Sequence, residues 1–170
     1  MTRWLDDDEM AFWRAFTVAS GRLTTAIDAD LRAESGLTLD DYEVLVHLSE
    51  APERRVRMSE LADRVVQSRS RLTQRIDRMV ARGLVERQQC PDDRRGTFAA
   101  LTDDGFAVLE AAAPAHVESV RRHLLDHLAP TQIRAGADLF GTVLDMRARR
   151  GQAPSGIQVE GVTPAAPEGA

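Results

Sequence analysis

The segment Met58–Thr102, MSELADRVVQSRSRLTQRIDRMVARGLVERQQCPDDRRGTFAALT, constrains the fold more than any other part of the chain. Leu61, Ala62 and Val65 recur at helical spacing just after Ser59, which predicts a helix over Glu60–Val66 capped by that serine. Ser68 is placed to cap a second helix, Arg69–Arg82, and Gly83 to stop it. Leu72, Ile76, Met79 and Val80 form the apolar face of this helix. Ser70, Gln74, Asp77 and Ala81 lie opposite, flanked by Arg71, Arg75, Arg78 and Arg82. A plain solvated helix mixes acids with cations at i, i+4 spacing; here Asp77 alone interrupts the arginines. Leu84–Gln89 and Thr97–Leu101 then read as antiparallel strands. Pro, Asp and Gly in Cys90–Gly96 supply the turn chemistry between them. A helix, a turn, a second helix and a two-stranded ribbon make the pattern of a winged helix-turn-helix.

Charge distribution sharpens this. The whole chain carries a net charge of −5, which at face value argues against a nucleic-acid partner. From Glu53 to Ala100, however, 12 Arg stand against 7 Asp and Glu, and the remainder holds 10 Arg against 20 acids. A basic segment inside an acidic chain is the footprint of a protein that meets DNA with one face. All 22 Lys-or-Arg positions are Arg, a usage that reflects a GC-rich coding genome and says little of function, although Arg suits bidentate contacts to phosphate and guanine.

The flanks read as long helices. Trp13, Phe16, Ser20, Leu23, Ile27 and Leu31 trace one stripe along a helix from Asp6 to about Glu34. Asp6–Glu9 lie in its first turn, where the helix dipole favours negative charge, and Gly36 stops it. Thr38 with Asp41 resembles a capping arrangement for a helix Leu39–Glu50, with Tyr42, Leu45 and Leu48 inward. Arg54–Arg57 reads as an extended basic linker. Thr102 caps a helix from Asp103 to about Leu128, in which Pro114 predicts a kink or local break. A last helix runs from about Gln132 to Arg150, with Ile133, Ala137 and Phe140 inward. The chain then turns to Gly, Pro, Ala and Ser over 151–170, the composition of a disordered tail. The N-terminal helix is too long to be covered by its own chain, so a second copy is the expected partner. The fold class is mainly α with a small β-wing, a winged helix-turn-helix lobe plus long N- and C-terminal dimerisation helices. Its parts are 1–36 and 103–150 as the dimerisation body, and 37–102 as the DNA-binding lobe.

Two runs carry a specific resemblance. Asp93-Arg94-Arg95-Gly96-Thr97-Phe98-Ala99-Ala100-Leu101-Thr102 looks like the Asp-x-Arg, short strand and Leu-Thr of the MarR family of bacterial transcription regulators. Leu72-Thr73-Gln74-Arg75-Ile76-Asp77-Arg78-Met79 with Arg82-Gly83-Leu84-Val85 is similar to that family's recognition helix and wing start. The resemblance spans nearly the whole chain except the tail. It implies a homodimer with interlocked terminal helices, a repressor of a pseudo-palindromic operator, and a pocket between body and lobe for a small aromatic or phenolic acid. It also implies that Arg95 enters the minor groove, held by Asp93.

In helix-turn-helix docking the second helix lies in the major groove with its N-terminal half against base edges. The expected DNA contacts are therefore Ser59, Ser68, Arg69, Ser70, Arg71, Thr73, Gln74, Arg75 and Arg78, with Asp93, Arg94 and Arg95 at the wing. Gln pairs with adenine and Arg with guanine, while the hydroxyls take phosphates. Arg71 and Arg78 could instead pair with acids of the protein itself. For an effector, the aromatic and cationic candidates are Trp13, Arg14, Phe16, Arg22, Tyr42 and His47, set against the plain alternative of core aromatics and solvated arginines.

Other classes find little support. There is no Gly-rich phosphate loop, HExxH or GxSxG, so no catalytic residue is expected. His123 and His127 share a helix face with His116 nearby, but no Cys or acid cluster completes a metal site, and no metal or cofactor is expected. The lone Cys90 at the wing base forms no intrachain disulfide. No apolar run is long enough for a membrane span and the N-terminus lacks signal-peptide order, so the expectation is cytoplasmic. The competing reading is a winged-helix protein–protein interaction module without operator binding.

Overall fold

Asp6 closes a capping box at the first helix. Its side chain accepts from the Glu9 amide (2.9 Å), and the Glu9 carboxylate accepts from the Asp6 amide (3.0 Å). The helix, α1, runs Asp7–Ser35 and ends on Gly36 at φ 68°, a left-handed conformation that glycine adopts without a Cβ penalty. The computed structural model describes residues 1–90 and 93–149, excepting the side chains of 93–95 and 147–149. The tail 151–170 lies outside the described residues.

The elements that follow are α2 (Leu39–Ser49), β1 (Arg55–Arg57), α3 (Met58–Arg64), α4 (Arg69–Ala81), β2 (Val85–Cys90), β3 (Asp93–Leu101), α5 (Asp103–His123) and α6 (Pro130–Arg149). One antiparallel sheet has the order β1-β3-β2. The mainly helical winged fold is as the sequence implies. One continuous core joins α1 to the lobe. Leu31, Leu37, Leu45 and Leu48 meet Leu61, Leu72, Ile76 and Met79 under the sheet's Val56, Val85 and Ala99, with Leu109 and Ala112 of α5 beside them. At roughly 25 cal/mol per Å² of apolar area buried, each fully enclosed Leu contributes on the order of 2 kcal/mol.

Several local expectations are corrected. Arg54–Arg57 is not a linker. Pro52–Arg54 forms a 3₁₀ turn, and Arg55–Arg57 is a third strand pairing with Phe98–Ala100. It is too short and too basic to show an alternation. Ser59 does not cap α3; the helix starts earlier, with Arg57 at the N-cap position, and Ser59 lies in the first turn. The helix also stops at Arg64, because Val66 turns to φ 52° with its side chain 72% exposed. Val80 is 38% exposed rather than buried, since Leu72, Ile76 and Met79 already fill the lobe-facing stripe. Pro114 does not interrupt α5; the break comes at Leu124, before a 3₁₀ turn over Leu125–His127. Thr38 does cap α2 by accepting from the Asp41 amide (3.0 Å), but the Asp41 carboxylate turns to Arg75 instead of folding back.

The α1 stripe is buried only over Ile27 and Leu31, against α5; Trp13 and Phe16 are exposed. Asp30 clamps the two helices. Its Oδ2 accepts from the Ser119 hydroxyl (2.6 Å), Arg122 (2.7 Å) and His123 (2.8 Å), which holds its carboxyl well below the usual range. Along α6, no residue whose side chain is described is buried. Phe140 reaches Phe16 with ring centroids 5.6 Å apart and stays 45% exposed. No helix among the described residues is long and apolar enough to cross a membrane.

Candidate nucleic-acid interface

Ser68 takes an extended φ/ψ, and its hydroxyl accepts from the Arg71 amide (3.3 Å), which fixes where α4 begins. Burying Leu72, Ile76 and Met79 turns the opposite side to solvent. Ser68, Arg69, Ser70, Arg71, Thr73, Gln74 and Arg78 are all exposed on that side, and so is Ser59 on α3. Arg69, Arg71 and Arg78 take part in no ion pair among the described residues, whereas Arg54, Arg55, Arg64, Arg75, Arg82 and Arg87 do. The Thr73 hydroxyl is spent on the Arg69 carbonyl (2.8 Å).

Arg75 is placed differently from expectation. Its side chain is 12% exposed and turned into the lobe. It donates to Asp41 Oδ1 (2.6 Å), Asp40 Oδ2, the Thr38 hydroxyl (3.2 Å) and Gln67 Oε1 (3.3 Å). The pairing with protein acids considered for Arg71 and Arg78 thus belongs to Arg75. The acids come from α2, which is why spacing along α4 could not reveal it.

A groove of about 350 Å³ separates α4 from the wing. Arg57, Ser59, Arg69, Thr73, Arg87 and Thr97 line it, with no carboxylate among the described lining residues. Sequence reading missed Arg57 and Arg87, because one was assigned to a linker and the other to a strand of mixed charge. Arg87 is held toward α4 by Asp77 (2.8 Å) and the Thr73 carbonyl (3.3 Å). Such a polar, cation-rich groove suits a phosphate backbone passing between helix and wing. At the wing tip, β3 begins at Asp93 opposite Cys90, with a register shift between Gln89 and Cys90. The expected roles of the Asp93, Arg94 and Arg95 side chains lie outside the described residues.

The six effector candidates are not gathered in one place. Phe16 and Arg22 line an apolar hollow of about 930 Å³ between α1 and the α5–α6 region. Tyr42 is buried with its ring 4.4 Å from His116, and burial pushes its hydroxyl pKa up. His47 is buried elsewhere in α2, which pushes its imidazole pKa down. Trp13 and Arg14 are exposed on α1. The hollow between α1 and the lobe, about 800 Å³, is polar and lined instead by Ser20, Thr24, Thr25, Arg32, Arg75 and Arg78, among others. His123 pairs with Asp30 and His127 donates to the Arg122 carbonyl (2.8 Å), so the histidines serve separate contacts. Cys90 is free and buried.

Residues 35–96 match the profile of the MarR family. AbsC from Streptomyces coelicolor, a MarR-family transcriptional regulator, is 43% identical, with 88% of this chain and 99% of that chain covered at a TM-score of 0.79. The chain belongs to the MarR family. A second MarR-family regulator from the same organism, Sco3205, was solved in complex with DNA; it is 39% identical, with 84% and 89% coverage and a TM-score of 0.80. The regulator PecS of Dickeya dadantii (strain 3937) is 35% identical over 63 residues, 37% of this chain and 38% of PecS, so the match spans little more than a third of that relative. Membership places the chain among MarR-family regulators of transcription, not among enzymes.

Proposed function

We propose that the protein is a homodimeric, ligand-responsive repressor that binds a pseudo-palindromic operator in cytoplasmic DNA. The observation that carries this is the outer side of α4, where Arg69, Arg71 and Arg78 stand exposed without acid partners among the described residues, beside the cation-lined groove to the wing. Arg69, Ser70, Arg71 and Gln74 read base edges; Ser59, Ser68, Arg57 and Arg87 hold phosphates. Arg94 and Arg95 extend the contact from the wing. The DNA complex of the relative Sco3205 supports this reading.

The lobe is taken as residues 37–102 and the body as 1–36 with 103–150. A second copy covers α6, whose apolar Ile133, Phe140 and Val143 no neighbour among the described residues buries. The effector, a small aromatic or phenolic acid, sits between α1 and the lobe, where the hydroxyls of Ser20, Thr24 and Thr25 face Arg78, with Asp28 and Asp40 engaged by Arg32 and Arg75. It acts by favouring a body geometry in which the two recognition helices no longer match successive major grooves.

Selection of bound fragments from a genomic library, followed by footprinting, tests the proposal. Recovery of fragments with two half-sites about one helical turn apart is expected. Binding no tighter to recovered fragments than to random duplex would sink it.

A further inference from the structure

We infer that Arg75 is a positioning residue that locks the recognition helix α4 to the first turn of α2, and through that turn to the body helix α1; this rests on the DNA-binding reading above. The first turn of α2 is gripped from two sides. From α4, the Arg75 guanidinium reaches Asp40, Asp41 and Thr38, and Arg82 lies 3.8 Å from the second Asp41 oxygen. From α1, Asp28 Oδ1 accepts from the Leu39 amide (2.9 Å), while its other oxygen holds Arg32 (2.6 Å). These bonds form one polar path from α1 across α2 to α4, beside the hollow between body and lobe.

The geometry explains why an arginine stands here. A planar fork engages two carboxylates and a hydroxyl at once, and a lysine ammonium on a flexible stem cannot. Asp41 is buried, so the pair is desolvated and its geometry tightly set. Arg75 lies one residue beyond Gln74, which faces the bases. A rotation of α4 about this anchor would therefore displace every base-reading side chain together.

Two variants separate positioning from direct contact. Asp40 is half exposed, so Asp40→Asn leaves the core intact. If Arg75 touched DNA, removing a nearby negative charge would tighten operator binding. As a positioning residue, loss of its partner weakens operator binding about tenfold, spread over the half-site. Arg75→Lys keeps the charge, so a phosphate contact would survive it; positioning predicts loss of at least about fivefold.

Amide hydrogen exchange on the free protein gives a readout that needs no operator. Both variants are expected to speed exchange in the first turn of α2 and the N-terminal half of α4, while α5 is unchanged. Tighter operator binding by Asp40→Asn, loss confined to one base pair, or exchange equal to wild type would overturn the inference. If the wild-type protein binds no operator, the functional reading fails, and exchange alone still decides the role of Arg75.

Discussion

The α-carbon of Gly105 lies against the carbonyl of Leu84 so closely that a Cβ there would sit 2.0 Å from the oxygen. This contact seats the start of α5 on the base of the wing. Thr102 reinforces it. Its hydroxyl lies 2.7 Å from the Gly83 carbonyl and 3.0 Å from that of Leu84, and accepts from the Gly105 amide (2.9 Å). Gly105→Ala is therefore expected to cost at least about 3 kcal/mol, since a backbone carbonyl cannot swing aside as a side chain does. Chemical denaturation measures it; a loss under 1 kcal/mol would show that the junction yields.

Val66 makes the opposite case. A β-branched residue at φ 52° is strained, and this side chain buries little in return. Val66→Gly should raise stability by about 1 kcal/mol, the strain relief exceeding glycine's entropic cost. An unchanged or lowered denaturation midpoint would refute the strain.

For DNA, Arg57→Ala and Arg87→Ala should each reduce the slope of log affinity against log salt by about one, since each is placed on a phosphate of the backbone. Titration at four or five salt concentrations reads this directly. A slope unchanged in both variants would take these residues off the phosphate backbone.

If the proposed dimer forms through α6, Phe140→Arg should convert it to monomer. The ring meets Phe16 across 5.6 Å and otherwise faces outward, so a guanidinium there would be desolvated without a partner in the assembled protein. Sedimentation velocity is the check, and a dimer surviving the substitution would place the interface elsewhere.

Stability should fall between pH 7.5 and 5.5. Burial pushes His47 and His116 below the ordinary histidine value of 6.5, so the folded chain takes up fewer protons at these two rings than the unfolded chain as pH falls through that value. With more protons bound to the unfolded state, stability rises with pH and is lost toward acid. His116→Phe, which retains a ring against Tyr42, should flatten part of this slope. Asp30 acts in a lower window: Ser119, Arg122 and His123 depress its pKa, so its contribution is present above the ordinary carboxylate range and is lost only below about pH 4. A flat profile from pH 7.5 to 5.5 would show that the histidines protonate without penalty.

Local signals carried most of the fold. Ser68, Gly83, Thr102, Thr38 and Gly36 act at helix ends through short-range geometry, and all five stand where their residue types suggested. What spacing could not reveal depends on distant partners. β1 is a strand because Phe98–Ala100 offers it a ladder, and Arg75 turns inward because Asp40 and Asp41 wait on another helix. Likewise Arg57 and Arg87 come to one groove only when the sheet closes. The outer face of α4 was legible because burial of three apolar residues dictates what remains outside.

The pairing of Arg55 with Ala100 has a consequence for biosynthesis. The first strand of the sheet and the central strand it pairs with are separated by the whole of α3, α4 and β2. The lobe therefore cannot close on the ribosome until the chain has emerged past Leu101. Until then the apolar stripe of α4 has only α1, α2 and α3 to pack on and lacks the sheet's Val56, Val85 and Ala99, and a stalled or truncated product would expose it to chaperones and proteases. The ladder between β1 and β3 thus closes late in synthesis, and α5 adds Leu109 and Ala112 to the shared core only after it.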